Sequence, residues 1–278
     1  MFKVKYLLID ANGNEIAQYD RLEFVTKNLY AVRLNNKWGF INENADLLTN
    51  IIYDFYESQD YIINECIKVE KNKKYALMDY KGNIISDWYD DIINLFDNNI
   101  IIAKLNNKFA LIKKIGLKFT NVCPFEFDQF YRFNEGFIIV IKDKKRNFMD
   151  TSGNLISKIY FDNALEFYNG FAEVYLNGKW TYITKTGDML TEAKFDALGT
   201  FYEGISSYKI GKKYGYIYEF GNDISGPIYD SAKNFENGKA AVRKDKNWFY
   251  INKKGKKIRK LTENEVYEVT TPLIMRLK

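Results

Sequence analysis

The residues of this chain best suited to chemistry are seven aspartates, each directly behind an aromatic ring. They are Tyr19-Asp20, Tyr53-Asp54, Tyr89-Asp90, Phe127-Asp128, Phe161-Asp162, Phe195-Asp196 and Tyr229-Asp230. Carboxylates brought together in pairs could act as general acid and base, as in glycoside hydrolysis. Recurrence in seven copies argues instead for a structural task, the capping of turn N–H groups. A second set is cationic. Lys71, Lys73, Lys74, Lys108, Lys144, Lys145, Lys179, Lys212, Lys213, Lys244 and Lys246 cluster ahead of recurrent aromatic positions. A further run holds Lys253, Lys254, Lys256 and Lys257, then Arg259 and Lys260. Such patches attract phosphates or nucleic acid. The net charge is only +5, however, and turns are solvated in any case.

What the chain lacks narrows the chemistry. It has 0 histidines, which excludes Ser-His and Cys-His nucleophiles, histidine bases and histidine-bearing zinc sites. Neither a P-loop nor a G-x-G-x-x-G is present. No catalytic residue, metal site or cofactor is therefore expected. The 2 cysteines, Cys66 and Cys123, have no metal-ligand spacing and read as free, buried thiols of a reducing cytoplasm. No apolar stretch approaches the roughly 20 residues that cross a bilayer, so no membrane partner is expected. The N-terminal "MFKVKYLLIDANG" is too short in its apolar part for a secretory signal. Only 3 prolines, with abundant Asn, Lys and Ile, fit an AT-rich bacterial or phage genome.

The elements that carry these residues repeat from end to end. Aromatic anchors fall at Tyr6, Trp38, Tyr75, Phe109, Trp180, Tyr214 and Trp248, with Arg146 in the same register, at intervals of 32, 37, 34, 37, 34, 34 and 34 residues. A period of 20–50 residues signals stacked units that bury their faces on one another. Six and eight residues before the anchor stand apolar pairs such as Tyr30/Val32, Ile67/Val69 and Ala240/Val242. This spacing of two predicts a half-buried strand a. The anchor opens strand b, in which Trp38 and Phe40, or Tyr214 and Tyr216, share a face. Small residues between them (Gly39, Ala76, Ala110, Gly215) would admit a neighbouring sheet. Turns such as Asp79-Tyr-Lys-Gly82 and Asp150-Thr-Ser-Gly153 then lead to a third strand c. No segment has helical period over a useful length.

This pattern resembles the WG-repeat (KWG-repeat) family of bacterial proteins. The resemblance rests on Lys37-Trp38-Gly39-Phe40-Ile41, Lys213-Tyr214-Gly215-Tyr216-Ile217, Lys179-Trp180-Thr181-Tyr182-Ile183 and the pairs Tyr53-Asp54 and Tyr229-Asp230. The closings Phe133 to Gly136, Phe167 to Gly170, Phe201 to Gly204 and Phe235 to Gly238 belong to the same pattern. It covers essentially the whole chain. It implies a β-repeat interaction module and no reaction.

The expected fold is thus all-β, one domain over 1–278 built of about eight tandem repeats. A propeller-like closed ring is favoured over an open β-solenoid. Leu273, Met275 and Arg276 match Ala240, Val242 and Arg243, so 271–278 is a candidate closing strand for the first repeat. Three departures from the repeat are candidates for specific function: Arg146 in an anchor slot, extra residues from Ile115 to Pro124, and Trp88 ahead of Tyr89-Asp90. Trp88, Arg132 and Arg146 are read as partner-binding residues, because Trp and Arg dominate interface hot spots. The expected function is a non-enzymatic scaffold that binds a protein partner through a rigid β-repeat face. The alternatives are a nucleic-acid or nucleotide-binding accessory protein using the basic a–b turns, and a carbohydrate-binding module.

Overall fold

A computed structural model describes residues 6–9, 12–57, 66–94 and 100–270. Within them lie 25 strands in antiparallel sheets and one helix. The first sheet pairs β1 (Tyr6–Ile9) with β2 (Glu15–Tyr19). Then come β3 (Arg21–Thr26), β4 (Leu29–Leu34) and β5 (Lys37–Ile41) in one sheet, and β6 (Phe55–Glu57), β7 (Cys66–Lys71) and β8 (Lys74–Asp79) in the next. A four-stranded sheet holds β9 (Asp91–Asn94), β10 (Ile100–Leu105), β11 (Lys108–Ile115) and β12 (Lys118–Asn121). Three-stranded sheets follow: β13 (Gln129–Asn134), β14 (Phe137–Lys142) and β15 (Lys145–Asp150); β16 (Asn163–Ala164), β17 (Phe171–Leu176) and β18 (Lys179–Thr184); β19 (Ala197–Leu198), β20 (Ile205–Ile210) and β21 (Lys213–Tyr218). The last sheet contains β22 (Ser231–Ala232), β23 (Lys239–Lys244), β24 (Asn247–Asn252) and β25 (Lys257–Lys260), and α1 (Glu263–Thr270) follows it.

After the first sheet, which pairs strand b with strand c, each sheet is ordered outer strand, a, b, where the outer strand is the segment just after the preceding aromatic-Asp pair. The a–b hairpins close through two-residue turns with consecutive positive φ, for example Asn35/Asn36 at 51° and 64° and Asp143/Lys144 at 51° and 63°. This backbone matches the twist of the flanking strands. Strand c, expected as a third regular strand, is regular only as β2, β12 and β25. Elsewhere it is reduced to single bridges such as Ile41↔Leu47, Met78↔Ile84 and Ile183↔Met189. The reason lies in its side chains, which take over ladder hydrogen bonds. The Phe40 N–H donates to Thr49 Oγ1 at 3.0 Å and the Leu77 N–H to Ser86 Oγ at 2.8 Å; in the β12 repeat, past the end of the regular strand, the Leu111 N–H likewise donates to Cys123 Sγ at 3.2 Å. Cys123 therefore fills a Ser/Thr slot, and both it and Cys66 are buried and free.

The described residues group into two compact units, one reaching Phe133 and also taking Val140–Asp143 and Thr151–Asn154, the other taking the rest. In the first unit Trp38, Phe40 and Tyr53 share a core with Ile67, Val69 and Met78 of the following sheet. In the second, Ala172, Val174 and Ile183 pack backward on Phe148 and Phe161, while Tyr182 packs forward on Phe195, Phe201 and Tyr208. Strand a is half-buried, as the spacing predicts, where Lys68, Glu173 and Ser207 alternate with buried residues in β7, β17 and β20, but it is buried on both faces in β4, β10 and β23. Ala31 and Val32, Ile101 and Ile102, or Ala241 and Val242 are all buried.

The small residues after the anchor have a different cause from the one expected. A Cβ on Gly39 would lie 2.8 Å from Ile51 Cγ1, and one on Gly215 would lie 2.5 Å from Gly226 O. The close neighbours come from the same repeat, the c segment at both glycines and also the Tyr208 ring of strand a at Gly215, not from another sheet. Where this slot is polar it bonds to that segment: Thr181 Oγ1 donates to Thr191 O at 2.8 Å, and Asn147 Nδ2 donates to Ser157 O at 2.8 Å.

The helix α1 corrects the reading of an unbroken β-chain. Thr262 and Glu265 form a capping box: the Thr262 N–H donates to Glu265 Oε2 at 2.8 Å and the Glu265 N–H to Thr262 Oγ1 at 3.4 Å. Arg259 clamps the same carboxylate with both terminal nitrogens. Tyr267-Glu268, an apparent aromatic-acid pair, is thereby helical. The candidate closing strand 271–278 lies outside the described residues.

Candidate functional site

The seven repeated carboxylates all perform one task. The Oδ2 of Asp20, Asp54, Asp90, Asp128, Asp162, Asp196 and Asp230 accepts the backbone N–H of Asn35, Asn72, Asn106, Asp143, Asn177, Gly211 and Asp245, the turn residue of the next a–b hairpin. These bonds run from 2.6 Å at Asn106 to 3.0 Å at Asp245. Six of the aspartates direct Oδ1 at the lysine that precedes the anchor of their own repeat: Lys37–Asp54, Lys74–Asp90, Lys108–Asp128, Lys145–Asp162, Lys179–Asp196 and Lys213–Asp230. Each such aspartate thus fastens one repeat to the next. The lysine bond, followed for most of them by the turn N–H, holds these carboxyls below the usual aspartate range. A carboxyl held in its ionised form by a lysine is poorly suited to donate a proton, unlike the raised member of an acid/base pair.

This geometry divides the cationic residues singled out by the sequence. Lys145 and Lys213 belong to the aspartate pairs. Lys253 donates to the Glu203 carboxylate at 2.9 Å and to Glu203 O at 3.2 Å. Lys257 places its ammonium 5.0 Å from the centre of the Phe249 ring. Lys144 and Lys212 stay exposed at a–b turns, and Lys254 and Lys256 stay exposed at the b–c turn of the last repeat. The basic clusters ahead of the anchors are therefore partly neutralised by the same aspartates that recur beside them.

The three departures from the repeat are also placed. Arg132 is exposed on β13. Arg146, half-buried in its anchor slot, donates from Nη1 to Ala164 O at 2.9 Å on the next outer strand. Trp88 is half-buried and packs against the core of Trp38, Tyr53 and Ile67. Trp88 and Arg132 belong to the first unit, Arg146 and the candidate partner-binding lysines to the second.

A concave site that sequence reasoning missed lies in the second unit, between the β17–β18 hairpin and the Gly199–Phe201 segment. Its cavity of about 200 Å³ is lined by Leu165, Glu166, Tyr168, Phe171, Glu173, Tyr182 and Gly199–Phe201. Phe171, Glu173 and Tyr182 share a sheet face, since Glu173 stands two residues from Phe171 and directly opposite Tyr182. The Phe171 and Phe201 rings are 4.5 Å apart and those of Tyr182 and Phe201 4.6 Å apart. The Tyr182 hydroxyl donates to Gly199 O and meets Ser206 Oγ at 2.6 Å. Glu173 is half-buried among these rings, and burial pushes its carboxyl up to about 7. Among the lining residues Leu165 and Tyr168 are 45% and 57% exposed, and Tyr202, next in sequence to the lining Phe201, is 40% exposed. The available signal was comparative: Glu173 occupies a position filled by Ala31, Ile102, Ile139 and Ala241 in other copies.

Comparison with known proteins bears on the repeat, not on this pocket. No curated protein matches the chain in sequence. Among solved structures, Hsv2 of Kluyveromyces lactis overlaps at 14% identity over 68% of this chain and 70% of that one, with a TM-score of 0.30. A eukaryotic initiation factor overlaps at 10% identity over 86% and 75%, with a TM-score of 0.35. PorZ, a surface component of the type-IX secretion system of Porphyromonas gingivalis, overlaps at 10% identity over 90% and 40%, with a TM-score of 0.30. Superpositions this loose carry no argument. The model of the WG containing repeat, in contrast, matches residues 8–38, 38–75, 115–145, 148–180, 180–214 and 214–248. With these matches spread across most of its length and the anchor, turn and aspartate of each repeat in equivalent roles, the chain belongs to the WG-containing repeat family.

Proposed function

We propose that this protein is a non-enzymatic scaffold that binds a protein partner through a rigid β-repeat face. The observation that carries the reading is a division of labour. The recurrent charged groups fasten repeat to repeat, while Leu165, Tyr168 and Tyr202 leave large apolar surface exposed on neighbouring loops of the second unit. Exposed aromatic side chains on a rigid frame suit protein recognition, since little side-chain entropy is lost when they are covered. The reading includes a cytoplasmic location, supported by the two free, buried thiols, and one continuous repeat domain. It also includes closure of the near-equal repeats into a propeller-like ring, which small-angle scattering distinguishes from an open solenoid.

Nucleic-acid or nucleotide binding is the second reading, favoured by the cations that remain exposed at Arg132, Lys144, Lys212, Lys254 and Lys256. One experiment separates the two. The tagged chain and its Tyr168→Glu/Tyr202→Glu variant are used for capture from the native lysate, with and without nuclease. A stoichiometric protein retained after nuclease by the natural chain, and lost by the variant, supports the scaffold. Retention that vanishes with nuclease and with rising salt supports nucleic acid, because counterion release drives such binding. Neither retention leaves the scaffold reading without support.

A further inference from the structure

The pocket at Glu173 holds an acid without a counter-charge. The Glu173 side chain makes no hydrogen bond or ion pair among the described residues, and no lysine or arginine lines the cavity. Its surroundings are the rings of Tyr168, Phe171, Tyr182 and Phe201 and one further acid, Glu166. An ionised carboxylate half-removed from water beside aromatic rings creates a local field that favours a cation, and the ring faces add to it. The cavity, at about 200 Å³, exceeds the space of a single water many times over.

The chain itself shows that an ammonium fits this place in the repeat. Lys68 on β7 occupies the strand position equivalent to Glu173, seven residues before the anchor of its repeat. Its side chain is only 13% exposed, donates to Ile92 O at 2.9 Å and to Asp91 Oδ1 at 3.2 Å, and lies 4.5 Å from the Tyr75 ring centre. Between β7–β8 and the outer strand β9, therefore, an alkylammonium chain runs from one sheet to the next among a carbonyl, a carboxylate and a ring. In the Glu173 repeat the carboxylate comes from strand a and the ammonium is missing.

We propose that this pocket binds an alkylammonium group, with the Glu173 carboxylate as counter-ion and the Tyr168 and Phe171 rings as its walls. The inference deepens the partner-binding reading, since Leu165 and Tyr168 serve both, and it names the chemistry recognised there. The shared chemistry is a four-carbon ammonium chain, either a lysine of a protein partner or a free amine. Ring–carboxylate pockets select such a group over a neutral chain of equal length because only the cation restores the charge balance.

The test is an NMR titration of the ¹⁵N-labelled full chain with three probes: Nα-acetyl-lysine N-methylamide, its norleucine analogue, and n-butylammonium chloride. The expected result is saturable shifts at the Tyr168–Glu173 and Gly199–Phe201 amides with the cationic probes, and at least tenfold weaker binding of the norleucine analogue. Glu173→Gln should weaken the cations tenfold or more while leaving the rest of the spectrum in place, and Phe171→Leu should weaken them several-fold. Binding of blocked lysine points to a partner's side chain, and binding of butylammonium alone points to a free amine. Equal binding of lysine and norleucine probes, or cation binding unchanged by Glu173→Gln, overturns the proposal. Failure of lysate capture with the titration intact sinks only the partner reading.

Discussion

At Glu173 a single carboxyl couples the pocket to stability. Its unfolded value is near 4.5, whereas burial raises it to about 7 in the folded protein. Between those values the folded chain binds more protons than the unfolded chain, so stability falls as pH rises from about 4.5 to 7 and then stays reduced. Glu173→Gln keeps the shape and removes the titration. After discounting for solvent screening, the expected gain at pH 8 is about 1–2 kcal/mol, with almost none at pH 4.5. Urea midpoints at the two pH values measure it, and an equal gain at both would mean that packing, not ionisation, was altered. The residue's strand register was readable from the repeat, but its desolvation was not. That depends on Phe171, Tyr182 and Phe201 converging on it, the last from the neighbouring repeat.

Among the turns, equal glycines have unequal tasks. Gly178 in the β17–β18 hairpin and Gly187 in the following b–c turn both have φ near 85°. A Cβ on Gly178 meets nothing within 4 Å, whereas one on Gly187 would stand 1.8 Å from Ile156 O of the preceding repeat. Gly82 against Leu48 and Gly153 against Val122 repeat the contact. Gly178→Ala should therefore cost about 1 kcal/mol, the left-handed backbone alone. Gly187→Ala should exceed about 2 kcal/mol because two backbones must separate. Thermal melts of the two variants decide, and equal losses would remove the turn glycine from the repeat junction. Strands a and b were legible because their period of two and the anchor spacing are local signals. Strand c was not, because Thr49 and Ser86 replace backbone partners with side-chain ones. The helix α1 carried a local sign, Thr262-x-x-Glu265, which the repeat pattern around Tyr267-Glu268 obscured.

For the whole molecule, stability against pH is set by two opposed groups of acids. Asp54, Asp90, Asp128, Asp162, Asp196 and Asp230 are held below the ordinary value of 3.8, chiefly by their lysines. Glu203 is held below 4.5 first by Lys253. Depressed carboxyls stabilise the fold above their unfolded values and lose that contribution as pH falls through the folded ones. The repeats share one junction design, so these losses fall within a common window below about pH 4 and should weaken every junction together. Glu173 acts in the other direction above about pH 4.5. The stability maximum is therefore expected near pH 5, earlier than in a chain governed by the aspartate junctions alone. Glu173→Gln should broaden that maximum toward neutrality, while Asp162→Asn should lower the melting temperature by several degrees at pH 7 and by much less at pH 3, where the natural Asp162 carboxylate is itself being protonated and its bond to Lys145 weakens. Melting temperatures across pH 3 to 8 for the natural chain and both variants test the scheme. A natural-chain maximum at pH 7 or above, unmoved by Glu173→Gln, would show that the buried glutamate has no such leverage.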